Sequence, residues 1–121
     1  NNYKSFWCAE KVKNAMLEFE LKNHKQPVVA MMGLAFKPNI DDLRESPAKW
    51  ITTKVMQSCN NADILVVEPN VETHNVFKLT DYKEAYEKAD IIVMLTAHDQ
   101  FKTLPYREDK VILDFCGIYK K

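Results

Sequence analysis

The segment Gly33-Leu34-Ala35-Phe36-Lys37-Pro38-Asn39-Ile40-Asp41-Asp42-Leu43-Arg44-Glu45-Ser46-Pro47 is the first place in this 121-residue sequence to look for a site. A lysine directly follows an aromatic residue, an arginine comes seven positions later, and two adjacent carboxylates lie between them. Such groups suit a diphosphate, with Lys37 as a mobile point charge, Arg44 as a planar fork for two oxygens and Phe36 as a wall or stacking surface. The same residues also fit a plain surface loop in which Arg44 pairs with Asp41 or Asp42 and Lys37 is solvated. An acid pair beside an arginine shapes a loop by accepting its hydrogen bonds more readily than it divides into acid and base. Neither G-x-G-x-x-G nor G-x-x-x-x-G-K-[ST] occurs, so neither phosphate-cradling fingerprint accompanies the two cations.

Other reactive groups are scattered. Cys8, Cys59 and Cys116 are odd in number and form no CxxC, which argues against a disulfide framework and against a zinc site. Cys8 and Cys59 fall on apolar helical stripes, where cysteine behaves as a small hydrophobe. Cys116 follows the last apolar run beside Gly117, where a structural or supporting role is expected. His24, His74 and His98 lack metal-site spacing. His24 and His74 read as surface residues, whereas His98 follows a strand and is placed to contact or support a ligand. Ser46 precedes Pro47 and reads as a helix cap rather than a nucleophile.

These residues need a frame. Cys8, Val12, Met16 and Phe19 recur at helical spacing, so a long amphipathic helix opens the chain and stops before Pro27. Val28 to Phe36 is a near-continuous apolar run that reads as a strand buried on both faces, with Met31 and Met32 in the core. Ser46-Pro47 starts a helix whose buried face is Ala48, Ile51, Val55 and Cys59 and which ends at Asn60 and Asn61. Ala62 to Val67 and Ala89 to Leu95 are matching apolar runs, both expected as central strands. Between them, Asp81 and Glu84 form a capping box for a helix with inner residues Tyr82, Ala85, Tyr86 and Ala89. Val111 to Phe115 is the fourth strand. Strands alternating with helices specify an α/β class: a Rossmann-like three-layer domain with a mostly parallel sheet, preceded by a long helix. With strand order 2-1-3-4, the ligand crevice lies between the first and third strands, flanked by Leu34 to Glu45 and Thr96 to Gln100. A twelve-residue strand-to-helix loop exceeds the usual two to six, and long loops are often functional.

Composition sets outer bounds. With 46% hydrophobic and 28% charged residues, the chain reads as one globular domain. Seventeen basic residues balance seventeen acidic ones, so net charge favours neither a nucleic-acid nor a membrane partner. No apolar run approaches the roughly 18 residues of a membrane span and no signal-peptide pattern is present, so a cytoplasmic location is expected. The sequence opens at Asn1 directly in a helical pattern, as expected of a piece of a longer chain.

The run from Gly33 to Pro47 resembles the signature G-x-x-F-K-x-x-(T/I)-D-D-x-R-x-S-P of the C-terminal domain of the UDP-glucose/GDP-mannose dehydrogenase family. Its wording, GLAFKPNIDDLRESPA, is similar to the branch that oxidises UDP-N-acetyl-D-mannosamine. Phe6-Trp7, Val67-Glu68-Pro69, His98 to Lys102, and the terminal D-x-x-G of Asp114 and Gly117 extend the resemblance over most of the chain. The resemblance implies that residues 1–24 end a central linker helix and residues 25–121 form a UDP-sugar-binding C-terminal domain. It further implies an NAD-dependent 6-dehydrogenase that takes an alcohol to a carboxylate through a thiohemiacetal and thioester on a cysteine, supplying polysaccharide precursors. By the same resemblance Phe36 and Lys37 touch substrate and Arg44 approaches NAD; from their own chemistry and position, Asp41, Asp42, His98 and Cys116 are expected to stand behind these contacts. The glycine-rich NAD loop and the G-G-x-C-x-P nucleophile segment do not occur here, so no catalytic residue is assigned and the chain alone is expected to be inactive. The implied partners are the UDP-sugar, the N-terminal and central domains of the same enzyme, and further copies of it in a homo-oligomer. UDP-glucose or UDP-N-acetylglucosamine remains open as substrate, as does a non-catalytic nucleotide-binding module. An exposed apolar face on the first helix would favour a domain that packs against others.

Overall fold

The computed structural model of the chain describes residues 2–35, 46–58, 63–71 and 78–119. Helical spacing of apolar residues produces α1, Asn2–Asn23, which turns Cys8, Ala9, Val12 and Met16 inward. It ends where His24 adopts a positive φ of 57° and donates its amide to Glu20 O at 2.8 Å, ahead of Pro27. The strands are β1 (Val28–Met32), β2 (Asp63–Val67), β3 (Ile91–Met94) and β4 (Val111–Asp114). Three further helices, α2 (Pro47–Ser58), α3 (Tyr82–Lys88) and α4 (Asp99–Lys102), lie between them in the chain.

All these pairings are parallel and the order is β2-β1-β3-β4, the arrangement on which the crevice between β1 and β3 depends. In register, Val29 faces Ile64 on one side and Ile91 on the other. Because side chains alternate along a strand, the sheet has two apolar faces. Val29, Met31, Ile91 and Val93 pack under α1 and α2, against Val12, Met16, Ile51 and Val55. Ala30, Met32, Ile92 and Met94 pack against Ala85 and Tyr86 of α3 and Phe101 of α4. Each of the larger of these buried side chains contributes roughly 1.5–3 kcal/mol, so this two-sided burial is what holds the helices to the sheet. The α3 cap forms as its sequence specified: the Asp81 carboxylate accepts from Lys83 N at 3.1 Å and Glu84 N at 3.2 Å.

Several expectations need correction. β1 ends at Met32 rather than Phe36, because Gly33 turns to φ 106° and the next two amides leave the ladder for a side chain. β2 is an edge strand, not a central one. β1 is its only ladder partner among the described residues, and beyond it lies the single bridge Val66 to Leu79. Edge placement leaves Asp63 exposed and Ile64 and Leu65 half-buried. β3 and β4 are each shorter than their apolar runs. α4 forms within a segment expected to be a loop. The helix end at Asn60 and Asn61, and Cys59 on its stripe, lie outside the described residues.

The outer side of α1 carries Phe6, Leu17 and Leu21, the last 77% exposed. Trp7 meets the Phe115 ring edge-on, with centroids 5.9 Å apart. Among the described residues no helix is long and apolar enough to cross a membrane.

Candidate functional site

The parallel order puts the carboxyl ends of β1 and β3 side by side, and the chain leaving β1 there is fixed to an unusual degree. Gly33 donates its amide to Val67 O at 2.8 Å and adopts a backbone conformation open to glycine. Any Cβ at that position would stand 2.7 Å from Thr96 Cβ, so β3's exit closes directly over it. The next two residues, Leu34 and Ala35, have all four backbone polar groups taken by side chains from elsewhere. Both amides donate to Glu68 Oε1, at 2.8 and 2.9 Å. Leu34 O accepts from Ser46 Oγ at 2.5 Å, and Ala35 O accepts from Thr96 Oγ1 at 3.0 Å. Ser46 also caps α2, accepting from Lys49 N at 3.3 Å.

Glu68 directly follows β2 and its side chain is fully buried. His98 Nε2 approaches both of its oxygens, at 3.1 and 3.0 Å, and Asn70 N donates to Oε2 at 3.1 Å. With the Nε2 hydrogen directed at the carboxylate, Nδ1 of the ring accepts from Asn70 Nδ2 at 3.2 Å. Asn70 Oδ1 in turn accepts from Gln100 Nε2 at 3.3 Å. The hydrogen bonds therefore run in one direction, from Gln100 through Asn70 and His98 to Glu68. Burial pushes the Glu68 carboxyl up, but the His98 bond and the amides of Leu34 and Asn70 outweigh it and hold the group below its ordinary value. At neutral pH it is a buried anion with a full set of donors.

This has a chemical consequence for ligands. In phosphate-binding turns the amides that follow the first strand face the anion. Here the amides of Leu34 and Ala35 face the Glu68 carboxylate instead, which agrees with the lack of a glycine-rich fingerprint. The Leu34 and Ala35 amides are therefore not open to a diphosphate at this crevice.

Of the residues singled out from sequence, His98 lies in this cluster. Cys116 does not: it belongs to a separate turn at the end of β4, where Asp114 accepts from the amides of Gly117, Ile118 and Tyr119 at 2.8–3.0 Å. Burial, followed by the Asp114 charge, pushes the Cys116 thiol up to about 12. Its Sγ lies 3.8 Å from Asp114 Oδ1. Cys8 is buried in the α1 core, and burial raises its thiol as well. Phe36, Lys37, Asp41, Asp42 and Arg44 lie outside the described residues, as does His74. Sequence reasoning missed Glu68 as a functional candidate. Its local signal was a carboxylate ending the apolar run Ile64 to Val67, immediately before Pro69.

The chain is similar to parts of several known nucleotide-sugar dehydrogenases. The UDP binding domain of the UDP-glucose/GDP-mannose dehydrogenase family matches residues 30–121. The UDP-N-acetyl-D-mannosamine dehydrogenase of Escherichia coli K12 is 40% identical, over 99% of this chain and 31% of that protein. The NDP-N-acetyl-D-galactosaminuronic acid dehydrogenase of Ralstonia nicotianae is 36% identical, over 98% of this chain and 28% of that protein. A solved UDP-D-ManNAc dehydrogenase from Pyrococcus horikoshii superposes with a TM-score of 0.77 at 26% identity, over 100% of this chain and 29% of the other. The chain thus spans about a third of the length of the curated relatives it matches.

Proposed function

Since the chain belongs to the UDP-glucose/GDP-mannose dehydrogenase family, we propose that it is the C-terminal, UDP-sugar-binding part of an NAD-dependent nucleotide-sugar 6-dehydrogenase acting on UDP-N-acetyl-D-mannosamine. The observation that carries this reading is the fixed exit of β1 at the β1–β3 crevice, from which the chain runs directly into the Phe36-Lys37 pair. Lys37 supplies the positive charge that the Leu34 and Ala35 amides, already bonded to Glu68, do not offer a diphosphate. Phe36 walls the nucleotide. Asp41 and Asp42 shape the loop around Arg44.

NAD does not fit the described residues as a host. The whole chain has two glycines, fewer than a dinucleotide turn needs, and the first strand's exit amides are occupied by Glu68. The cofactor and the cysteine that carries the sugar through oxidation are therefore assigned to the remainder of an enzyme about three times this length, with Arg44 reaching toward NAD across the interface. The exposed Phe6, Leu17 and Leu21 of α1 support packing against that remainder, in a homo-oligomeric cytoplasmic enzyme.

The similarity to an NDP-N-acetyl-D-galactosaminuronic acid dehydrogenase favours a second reading in which the sugar is another N-acetylhexosamine. Titration of the chain with UDP and with uridine, followed by backbone amide shifts, tests the nucleotide assignment. UDP should perturb Leu34, Ala35 and Thr96 to Gln100 and bind more tightly than uridine. No response at millimolar UDP would overturn it. Turnover of the full-length enzyme with a panel of UDP-N-acetylhexosamines separates the two sugars.

A further inference from the structure

Four N–H donors converge on one buried carboxylate: Leu34 N, Ala35 N, Asn70 N and His98 Nε2. They come from the exits of three neighbouring strands, β1, β2 and β3. A buried charge is costly to keep and is weak support for stability, so its retention calls for a reason beyond filling space. What a carboxylate supplies here, and an amide of the same shape does not, is acceptors at both ends. Glutamine would accept from Leu34 and Ala35 but would turn N–H donors toward Asn70 N and His98 Nε2. The carbonyls of Leu34 and Ala35 are fixed as well, by Ser46 and Thr96, so the peptide planes just before Phe36 are set from both sides.

We propose that Glu68, oriented by His98, is a positioning residue for nucleotide-sugar binding: by holding the Leu34 and Ala35 amides it fixes how the chain leaves β1, immediately ahead of Phe36 and Lys37 in the sequence. The proposal rests on the reading of those two residues as substrate contacts. His98 is the second part of the device, because its Nε2 hydrogen spans both carboxylate oxygens and its Nδ1 is held by Asn70. Neither Glu68 nor His98 is exposed, so both act through the backbone they fix rather than by touching ligand.

Amide-shift titrations with UDP on the wild-type chain, Glu68→Gln, His98→Ala and His98→Gln test this. Wild type should bind with a dissociation constant on the order of 0.1–1 mM, as suits part of a pocket. Glu68→Gln should weaken UDP about tenfold or more while the sheet amides stay dispersed, and the Leu34 and Ala35 amides should shift upfield as their charged acceptor is lost. His98→Ala should weaken UDP by about threefold or more, and His98→Gln, which keeps a donor within reach of Glu68, should return to within about twofold of wild type. A folded Glu68→Gln that binds UDP as wild type does would overturn the positioning role and leave the nucleotide reading standing. So would a His98→Gln no better than His98→Ala, and that pair decides the matter if Glu68→Gln does not fold. A wild-type chain that ignores UDP overturns the nucleotide reading and the positioning role together.

Discussion

Glu68 and His98 meet at 3.0 Å with neither side chain reaching solvent, and through that contact the exits of β1, β2 and β3 share one anion. Removing either partner leaves buried hydrogen-bonding groups unanswered, which costs more than the net value of the bonds lost.

Acid should expose this pair. The folded Glu68 carboxyl lies below its ordinary 4.5, while the unfolded chain regains that value, so the unfolded state binds more protons in acid. Its contribution is complete above about 4.5 and is lost as pH falls through the lower folded value. As pH falls below about 4.5, the urea midpoint of wild type should therefore drop by more than that of Glu68→Gln. At pH 7 the variant should be less stable by about 1.5–3 kcal/mol. Parallel acid limbs in the two proteins would contradict the assignment.

Gly33→Ala tests the closeness of the β1 and β3 exits. The new Cβ would sit 2.7 Å from Thr96 Cβ, on a backbone at φ 106°. Left-handed strain and overpacking together should lower stability by about 2–4 kcal/mol. Chemical denaturation measures it directly, and a change below about 0.5 kcal/mol, typical of unconstrained surface sites, would mean the contact relaxes freely.

Lys37→Ala in the full-length enzyme should weaken UDP-sugar binding by about 1.5–3 kcal/mol, the range for a hydrogen bond to a charged group. The Leu34 and Ala35 amides already serve Glu68 and so cannot substitute for the lysine at a phosphate. Salt should weaken UDP more than uridine. An unchanged Michaelis constant would mean the lysine is only solvated.

Cys116 and Cys8 should resist alkylation. Cys116, held near 12, carries almost no thiolate at pH 8, and Cys8 is buried. Native treatment with iodoacetamide at pH 8, read by mass spectrometry of peptides, should leave both unmodified, whereas denatured protein reacts fully. The chain alone should likewise reduce no NAD with any UDP-sugar. Rapid native labelling of Cys116, or turnover, would require a nucleophile here.

Much of the frame was legible because its signals are local. Asp81 caps α3 through amides two and three residues away, and Ser46-Pro47 marks the start of α2 with the same short reach. Apolar runs located all four strands, but they overran the ends: Gly33, not loss of hydrophobicity, stops β1. Edge and centre were indistinguishable by composition, since β2 reads as apolar as β3 and differs only in how many neighbours it has. Glu68 escaped for a related reason. Its partners Leu34 and His98 stand thirty-four and thirty positions away, so no window along the chain contains the cluster.

The strand order also governs how the domain must assemble. β1 is flanked by β2 and β3, and its Val29 needs Ile64 on one edge and Ile91 on the other. Every ladder in this sheet is a crossover rather than a hairpin, so loops must close before any strand pair is rewarded. Refolding should be slower than that of a helical bundle of equal length. Until both neighbours arrive, the Val-Val-Ala-Met-Met stretch of β1 stands with two open edges and no charge of its own, as does Ile-Ile-Val-Met of β3, and these two interior strands are open to self-association in the nascent chain.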